Sequence, residues 1–169
     1  KNSKWSSPIL MAKSCHDIDL IYHMVQPRDW KTKPVKCTSI NSFGSLNHFK
    51  PENKPEGATD RCMTCPLEKK CAWSAKEYYY ERNFKKGNLG WPVAVIVEDV
   101  TEENVLKALE EGPYGECVYN GQNDQLDNQV VTMTFDNGAI ATFSMVAFTE
   151  AQCVRKTKIM GTEGEIQID

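Results

Sequence analysis

The spacing of hydrophobic residues changes along the chain, from a helical period near the start to two-residue alternation near the end. Four apolar residues recur at intervals of three and four positions: Ile18, Ile21, Tyr22 and Val25. This spacing predicts a helix with one buried face. Ser14 stands before it as a candidate N-cap, and Asp17 follows in the first turn, where a carboxylate favours the positive end of a helix. A second helix is predicted over 102–111, with Thr101 as its N-cap.

The alternating stretches predict an antiparallel sheet. Residues 129–135 alternate, Asp136-Asn137-Gly138 forms a strong hairpin turn, and 139–148 alternate back. Further strands are predicted over 35–43 (Val35, Cys37, Ser39, Asn41 and Phe43 on one face), 93–97, 117–119, 154–160 and 165–168. The predicted fold class is α+β, a predominantly antiparallel sheet with helices packed on one face. We predict one domain over 1–169, with a cysteine-containing insertion at about 50–90.

The two faces of the predicted hairpin differ in chemistry. Val131, Met133 and Phe135 form an apolar face that can pack under the helices. The opposite face carries small hydroxyl-bearing residues: Thr132, Thr134, Thr142 and Ser144. Such a face is suited either to solvent or to close packing against a second copy of the chain.

Composition excludes several classes of partner. The chain has 169 residues, 40% of them hydrophobic, and a net charge of −3, which argues against a nucleic-acid surface or an anionic-membrane binder. No apolar run approaches the length of about 18 residues that a membrane helix needs. Seven cysteines, an odd number, favour reduced thiols and a cytoplasmic protein. The start at Lys1 rather than Met predicts a piece of a longer protein.

Three cysteines follow one another at metal-ligand spacing: Cys62-x2-Cys65-x5-Cys71. Thiolates at this spacing can grip one tetrahedral zinc ion. His48 is the best candidate for a fourth ligand, and Cys37 is the second. The alternative is three reduced cysteines that anchor a loop.

His16 is the candidate acid–base residue. It lies in the first turn of the predicted helix, with Asp19 three residues later on the same side. An imidazole placed there can act as acid, base or ligand. The plainer interpretation is that His16 caps or packs the helix.

The stretch 6–24 resembles the start of the C-terminal domain in the Gfo/Idh/MocA family of NAD(P)-dependent oxidoreductases. That family has a glycine-rich run, an Asp, a His four residues later and a second Asp three residues after the His. Ser6-Ser7-Pro8 stands in place of the glycines, and His16 and Asp19 match the His and the second Asp. Ala12 occupies the place of the first Asp, and Lys13 follows it. A branch of the family is more similar, with an LLAKSCHD-like run, an SFGSLxHF-like run and a cysteine cluster.

The resemblance implies a substrate-binding and oligomerisation domain of an enzyme that moves a hydride between NAD or NADP and a sugar, inositol or related polyol. His16 would relay the proton of the reacting hydroxyl, and Lys13 and Asp19 would orient it or the substrate. The family's Rossmann domain, with its GxGxxG run and EKP lysine, binds the cofactor, and neither motif lies in this chain. The chain alone is therefore expected to be inactive and to have no cofactor-binding residues of its own. The resemblance also implies a homo-oligomer paired through the open face of the sheet.

Two other functions compete with this one. In the first, the chain belongs to a non-catalytic relative that lost activity with the Asp at Ala12. In the second, it is a zinc-knuckle-like binding module built on Cys62, Cys65 and Cys71.

Overall fold

The computed structural model describes residues 2–4, 6–150 and 154–168, and its fold class is α+β as the sequence predicts. The helices are α1 (Ile9–Ala12), α2 (Cys15–Met24) and α3 (Glu102–Glu111). The strands are β1 (Cys37–Ser45), β2 (Asn128–Phe135), β3 (Ile140–Val146), β4 (Thr157–Gly161) and β5 (Gly164–Ile168). Short 3-10 helices span Pro51–Asn53, Cys62–Thr64, Phe84–Lys86, Val93–Val95 and Pro113–Gly115, and a π-helix spans Lys76–Glu81. No helix in these ranges combines the length and apolar character that a membrane crossing needs.

The strands form two antiparallel sheets. The first has the order β1-β2-β3, and the second is the β4-β5 hairpin. The turn between β2 and β3 contains Gly138 at a φ of 85°, a left-handed conformation that glycine adopts without steric cost. This confirms the hairpin predicted from the alternation and the Asp-Asn-Gly turn.

One face of the three-stranded sheet packs under the first helices, as predicted. Val131, Met133 and Phe135 are buried there together with Val35. The residues of α1 and α2 that pack against them are Leu10, Ile18, Ile21 and Val25. These helix side chains are partly buried by the sheet, and the removal of their apolar surface from water holds α2 against it.

The predicted alternation of β1 is wrong at its first residues, because the strand has a bulge. Cys37 pairs with Phe135, whereas Ser39 pairs with Thr134, so the register shifts between them. Directly paired residues share a face. Cys37 therefore lies on the face opposite to that of Ser39, Asn41 and Phe43.

A second hydrophobic core is formed by residues between β1 and β2. Val93, Val105 and Leu109 are fully buried in it, and Cys62 and Tyr80 are buried beside them. α3 contributes Val105 and Leu109, and it begins at Thr101, whose hydroxyl accepts a hydrogen bond from the backbone of Asn104 at 3.3 Å. The predicted cap and the predicted bounds of this helix are confirmed.

Two predicted strands in this region are wrong. Val93–Val95 forms a 3-10 helix in which Val93 is fully buried and the two residues after it are exposed. Ile96 and Val97, which follow the helix, also pack against the second core. The segment 117–119 is not a strand either. Beside it, Glu116 forms a single antiparallel bridge with Arg61.

Candidate functional site

The start of α2 presents the sequence-predicted catalytic residues to solvent. His16 lies in the first turn of α2, Lys13 is the C-cap residue that follows α1, and Asp19 lies on the next turn of α2. All three side chains are exposed, and no hydrogen bond or ion pair among the described residues joins His16 to Lys13 or Asp19. Because Ile18 and Ile21 face the sheet, the side of α2 that carries His16 is left exposed by the residues that the structure describes.

Ser14 and Asp17 have roles that the sequence only partly predicts. Ser14 occupies the N-cap position and is buried, but its side chain makes no capping hydrogen bond. Asp17 forms an ion pair with Arg155, which ties the first turn of α2 to the segment before β4. The Asp17 carboxylate therefore holds the start of α2 in place through this ion pair, and it also interacts favourably with the positive end of the helix dipole.

His48 lies inside a group of aromatic rings. Its ring centroid is 4.9 to 5.7 Å from those of Phe49, Phe148, Tyr119 and Trp73. His48 Nε2 lies 3.1 Å from the Tyr119 hydroxyl, which itself accepts a hydrogen bond from the Trp73 side chain. These contacts form a connected Trp73–Tyr119–His48 network.

Tyr119 enters this network as a neutral phenol. Burial raises the pKa of Tyr119, the nearby charge of Cys71 raises it further, and the hydrogen bond from Trp73 opposes both. At neutral pH the phenol therefore keeps its proton and can donate it in a hydrogen bond to His48 Nε2.

Asp127 fixes the loop that carries His48. The side chain of Asp127 is only 2% exposed, and its carboxylate accepts hydrogen bonds from the backbone N–H groups of Asn47, His48 and Phe49 at 2.9, 2.6 and 3.1 Å. Burial alone would raise the pKa of Asp127, but these three donors and the Asn128 amide outweigh it and hold the pKa below its ordinary value. No sequence signal points to this residue, because its partners are about 80 positions away.

A cavity of about 200 Å³ adjoins the loop held by Asp127. Ile9 of α1, Phe49 and Leu126 supply apolar walls, and Asn123 and Asp127 supply polar atoms. A second cavity of about 430 Å³ lies beside α3, where Glu98, Asp99 and Glu111 make its wall acidic. His16 lines neither of these two cavities.

The predicted metal ligands are distributed over three places. Cys62 is buried in the second core, and Cys65 and Cys71 are half-buried near it. His48 is engaged by Tyr119, and Cys37 lies at the far end of the nine-residue strand β1, about 26 Å along the chain from Ser45. Within the described ranges, no three His, Cys, Asp or Glu side chains are gathered as a metal-binding group, and the six described cysteines are free thiols. The zinc site stays a prediction.

Comparison of the sequence with known proteins finds a distant relative that is named as an oxidoreductase. A protein of Bacillus subtilis (strain 168) named "Putative oxidoreductase YteT" is 24% identical over 172 residues, covering 99% of this chain and 36% of that protein. The chain is a distant relative of that protein and spans about a third of its length. No family model matches the chain. No solved structure matches it either.

Proposed function

We propose that this chain is the substrate-binding and oligomerisation domain of an NAD(P)-dependent oxidoreductase that acts on a sugar, inositol or related polyol. The observation that carries the proposal is the match to YteT along almost the whole chain. The exposed position of His16 on the uncovered side of α2 supports it, because a proton-relay residue must be open to substrate.

In this proposal residues outside this chain would hold most of the nicotinamide, which would supply the hydride acceptor for the carbon that bears the reacting hydroxyl. His16 takes the proton of that hydroxyl in the oxidation direction and returns it in the reduction direction. Lys13 and Asp19 flank His16 along the chain, where a cation and a carboxylate can hold the imidazole or other hydroxyl groups of a polyol by hydrogen bonds.

The proposal is tested in the protein that carries this chain at its full length. NAD⁺ or NADP⁺ reduction with a panel of inositols and sugars is followed by absorbance, and His16→Ala should lower turnover by about 100-fold or more. His23→Ala is the matched control, since His23 is exposed two turns further along the same helix. Unchanged turnover in His16→Ala would refute the proton-relay role of His16.

A non-catalytic relative is the second candidate, and one observation favours it. Ala12 ends α1 and offers no carboxylate at the position where the similar family carries one. If neither nicotinamide is reduced with any member of the panel, while the protein still binds a polyol, the non-catalytic function replaces the catalytic one.

Association through the open face of the sheet is the remaining part of the proposal. Thr132, Thr134, Thr142 and Ser144 lie on this face, as predicted, and Phe43 and Val130 lie beside them as a cross-strand pair. The Phe43 side chain is 79% exposed. An exposed aromatic residue on a flat face of small residues is a feature of interfaces between copies of one chain.

A further inference from the structure

A fourth cysteine joins the three that the sequence spacing groups together. Cys62 lies within electrostatic reach of Cys71, Cys117 and Cys65, and Lys54 lies within reach of Cys117 and Cys65. Cys117 is 46 to 55 positions away from the other three in the chain, which is why spacing alone does not reveal it. All four are buried or half-buried.

The backbone explains how Cys117 reaches this group. Arg61 and Glu116 form an antiparallel bridge, and the N–H of Cys117 donates to the carbonyl of Asp60 at 2.8 Å. Residues next to a bridged pair project to the side of the ribbon opposite to that pair. Cys62 and Cys117 are such neighbours, so both start from the same side.

Tight turns bring the remaining two cysteines close. The N–H of Cys65 donates to the carbonyl of Cys62 at 3.3 Å, and the N–H of Cys71 donates to that of Leu67 at 3.0 Å. The backbone N–H of Ala75 donates to the Cys62 sulfur. Hydrogen bonds of this kind orient and stabilise sulfur ligands in metal sites.

We propose that Cys62, Cys65, Cys71 and Cys117 together bind one Zn²⁺ through four thiolates. The sulfurs are not gathered at one point in the structure, where no three described donors form a metal-binding group, so binding requires side-chain rotations that bring each sulfur to about 2.3 Å from the ion. Zinc is the metal of choice for four thiolates in tetrahedral geometry. The ammonium of Lys54 partly offsets the net negative charge of such a centre.

Four protein ligands leave no open position on the ion, so its role is structural. The ion would link the segment 62–71 to Cys117, two residues before Tyr119, and would thus stabilise the position of Tyr119 in the Trp73–Tyr119–His48 network. This role is independent of hydride transfer, and its test does not depend on the proposed enzyme activity.

The test measures metal content and coordination in the whole chain, purified without chelator and under reducing conditions. We expect about one zinc per chain by elemental analysis, and cobalt substitution should give intense sulfur-to-metal charge-transfer bands together with the visible bands of a tetrahedral site. Cys117→Ser should weaken zinc affinity by about 100-fold or more. Its folding is checked against the metal-free wild-type chain by circular dichroism.

Three further variants test whether cysteines outside the group, or His48, act as zinc ligands instead. Cys37→Ser and Cys15→Ser, which change exposed cysteines outside the group, should keep the full zinc content and the cobalt spectrum. His48→Asn should also keep both. Wild-type affinity in Cys117→Ser, a loss in His48→Asn equal to that in Cys62→Ser, or a reduced wild-type chain that takes up no zinc would each overturn the proposal.

Discussion

Asp127 joins the loop 47–49 to the end of the three-stranded sheet. One carboxylate oxygen accepts from Asn47 and from the Asn128 amide, and the other accepts from His48 and Phe49. Four donors on one buried anion are a stronger arrangement than four separate neutral hydrogen bonds. The position of His48 among its aromatic neighbours therefore depends on the Asp127 carboxylate, which is not itself one of those neighbours.

Replacement of Asp127 by Asn should lower the free energy of unfolding at neutral pH by about 2 kcal/mol, because the amide nitrogen cannot accept from two of the four donors. The carboxylate contribution is also pH-dependent. The folded-state pKa of Asp127 lies below the unfolded value of about 3.9, so the stabilisation is present above that pH and is lost as the pH falls through the folded-state pKa.

Urea unfolding at pH 7 and at steps down to pH 3 measures both effects. The Asp127→Asn variant should lose less stability than the wild type below about pH 4. Asp29→Asn serves as the control, since Asp29 is exposed and its ion pair with Lys33 spans 3.9 Å. Equal acid sensitivity of wild type and Asp127→Asn would contradict the role given to Asp127.

The residues that complete the two groups around His48 and Cys62 could not be predicted from the sequence. Tyr119 is 71 positions from His48, and Cys117 is 55 positions from Cys62. No spacing rule connects residues at such separations. The bridge between Arg61 and Glu116, which brings the segments of Cys62 and Cys117 together, is visible only in the folded chain. His16 and Asp19, by contrast, are neighbours on one helix, and helical periodicity alone predicted that they share a side of it.

Among the elements, the hairpin and α3 were predictable because local signals agree. β2 and β3 alternate around a turn that glycine permits, and α3 has a cap, an acidic first turn and an apolar stripe. Residues 93–97 lack such agreement. A short apolar run fits a buried strand and a buried helical turn equally well, and here packing against the second core selected the turn.

The turn Pro113–Gly115 packs tightly against the end of α3. A Cβ added at Gly115 would lie 1.7 Å from the carbonyl oxygen of Leu109, which already accepts a hydrogen bond from Arg61 at 3.1 Å. Gly115→Ala should therefore lower stability by about 3 kcal/mol, because either the turn or the helix end must move.

Thermal unfolding measures this loss against Gly90→Ala. Gly90 is exposed, and a Cβ there would come no closer than 3.7 Å to its nearest neighbour, so Gly90→Ala should leave the transition almost unchanged. Similar transitions in the two alanine variants would show that the turn is looser than the structure describes.

At the scale of the molecule, the open face of the sheet carries the prediction of association. Val130 is 40% exposed and pairs with both Phe43 and Ser144 near the middle of this face. Phe43→Asp should weaken self-association by tenfold or more, by about 1.4 kcal/mol at least, because a carboxylate would be buried between two copies.

Light scattering across a micromolar concentration series gives the measurement. Leu89→Asp is the matched control, because Leu89 is 52% exposed and lies outside the sheet. A wild-type chain that stays monomeric, or a Phe43→Asp variant that associates as strongly as Leu89→Asp, would contradict the prediction.

The pairing of Ser45 with Asn128 has a consequence for the order of folding. These cross-strand partners are 83 positions apart, so the chain leaves the three-stranded sheet and returns to it at the same place. The residues of the second core all belong to the segment between them. Joining β1 to β2 must close that long loop, whereas the β2–β3 hairpin closes over a few residues. We therefore expect the hairpin to form first and β1 to add late. Because Ser45 and Asn128 are paired, residues 46–127 form an insertion between two adjacent strands, and we expect a two-residue turn in their place to preserve the strand pairing.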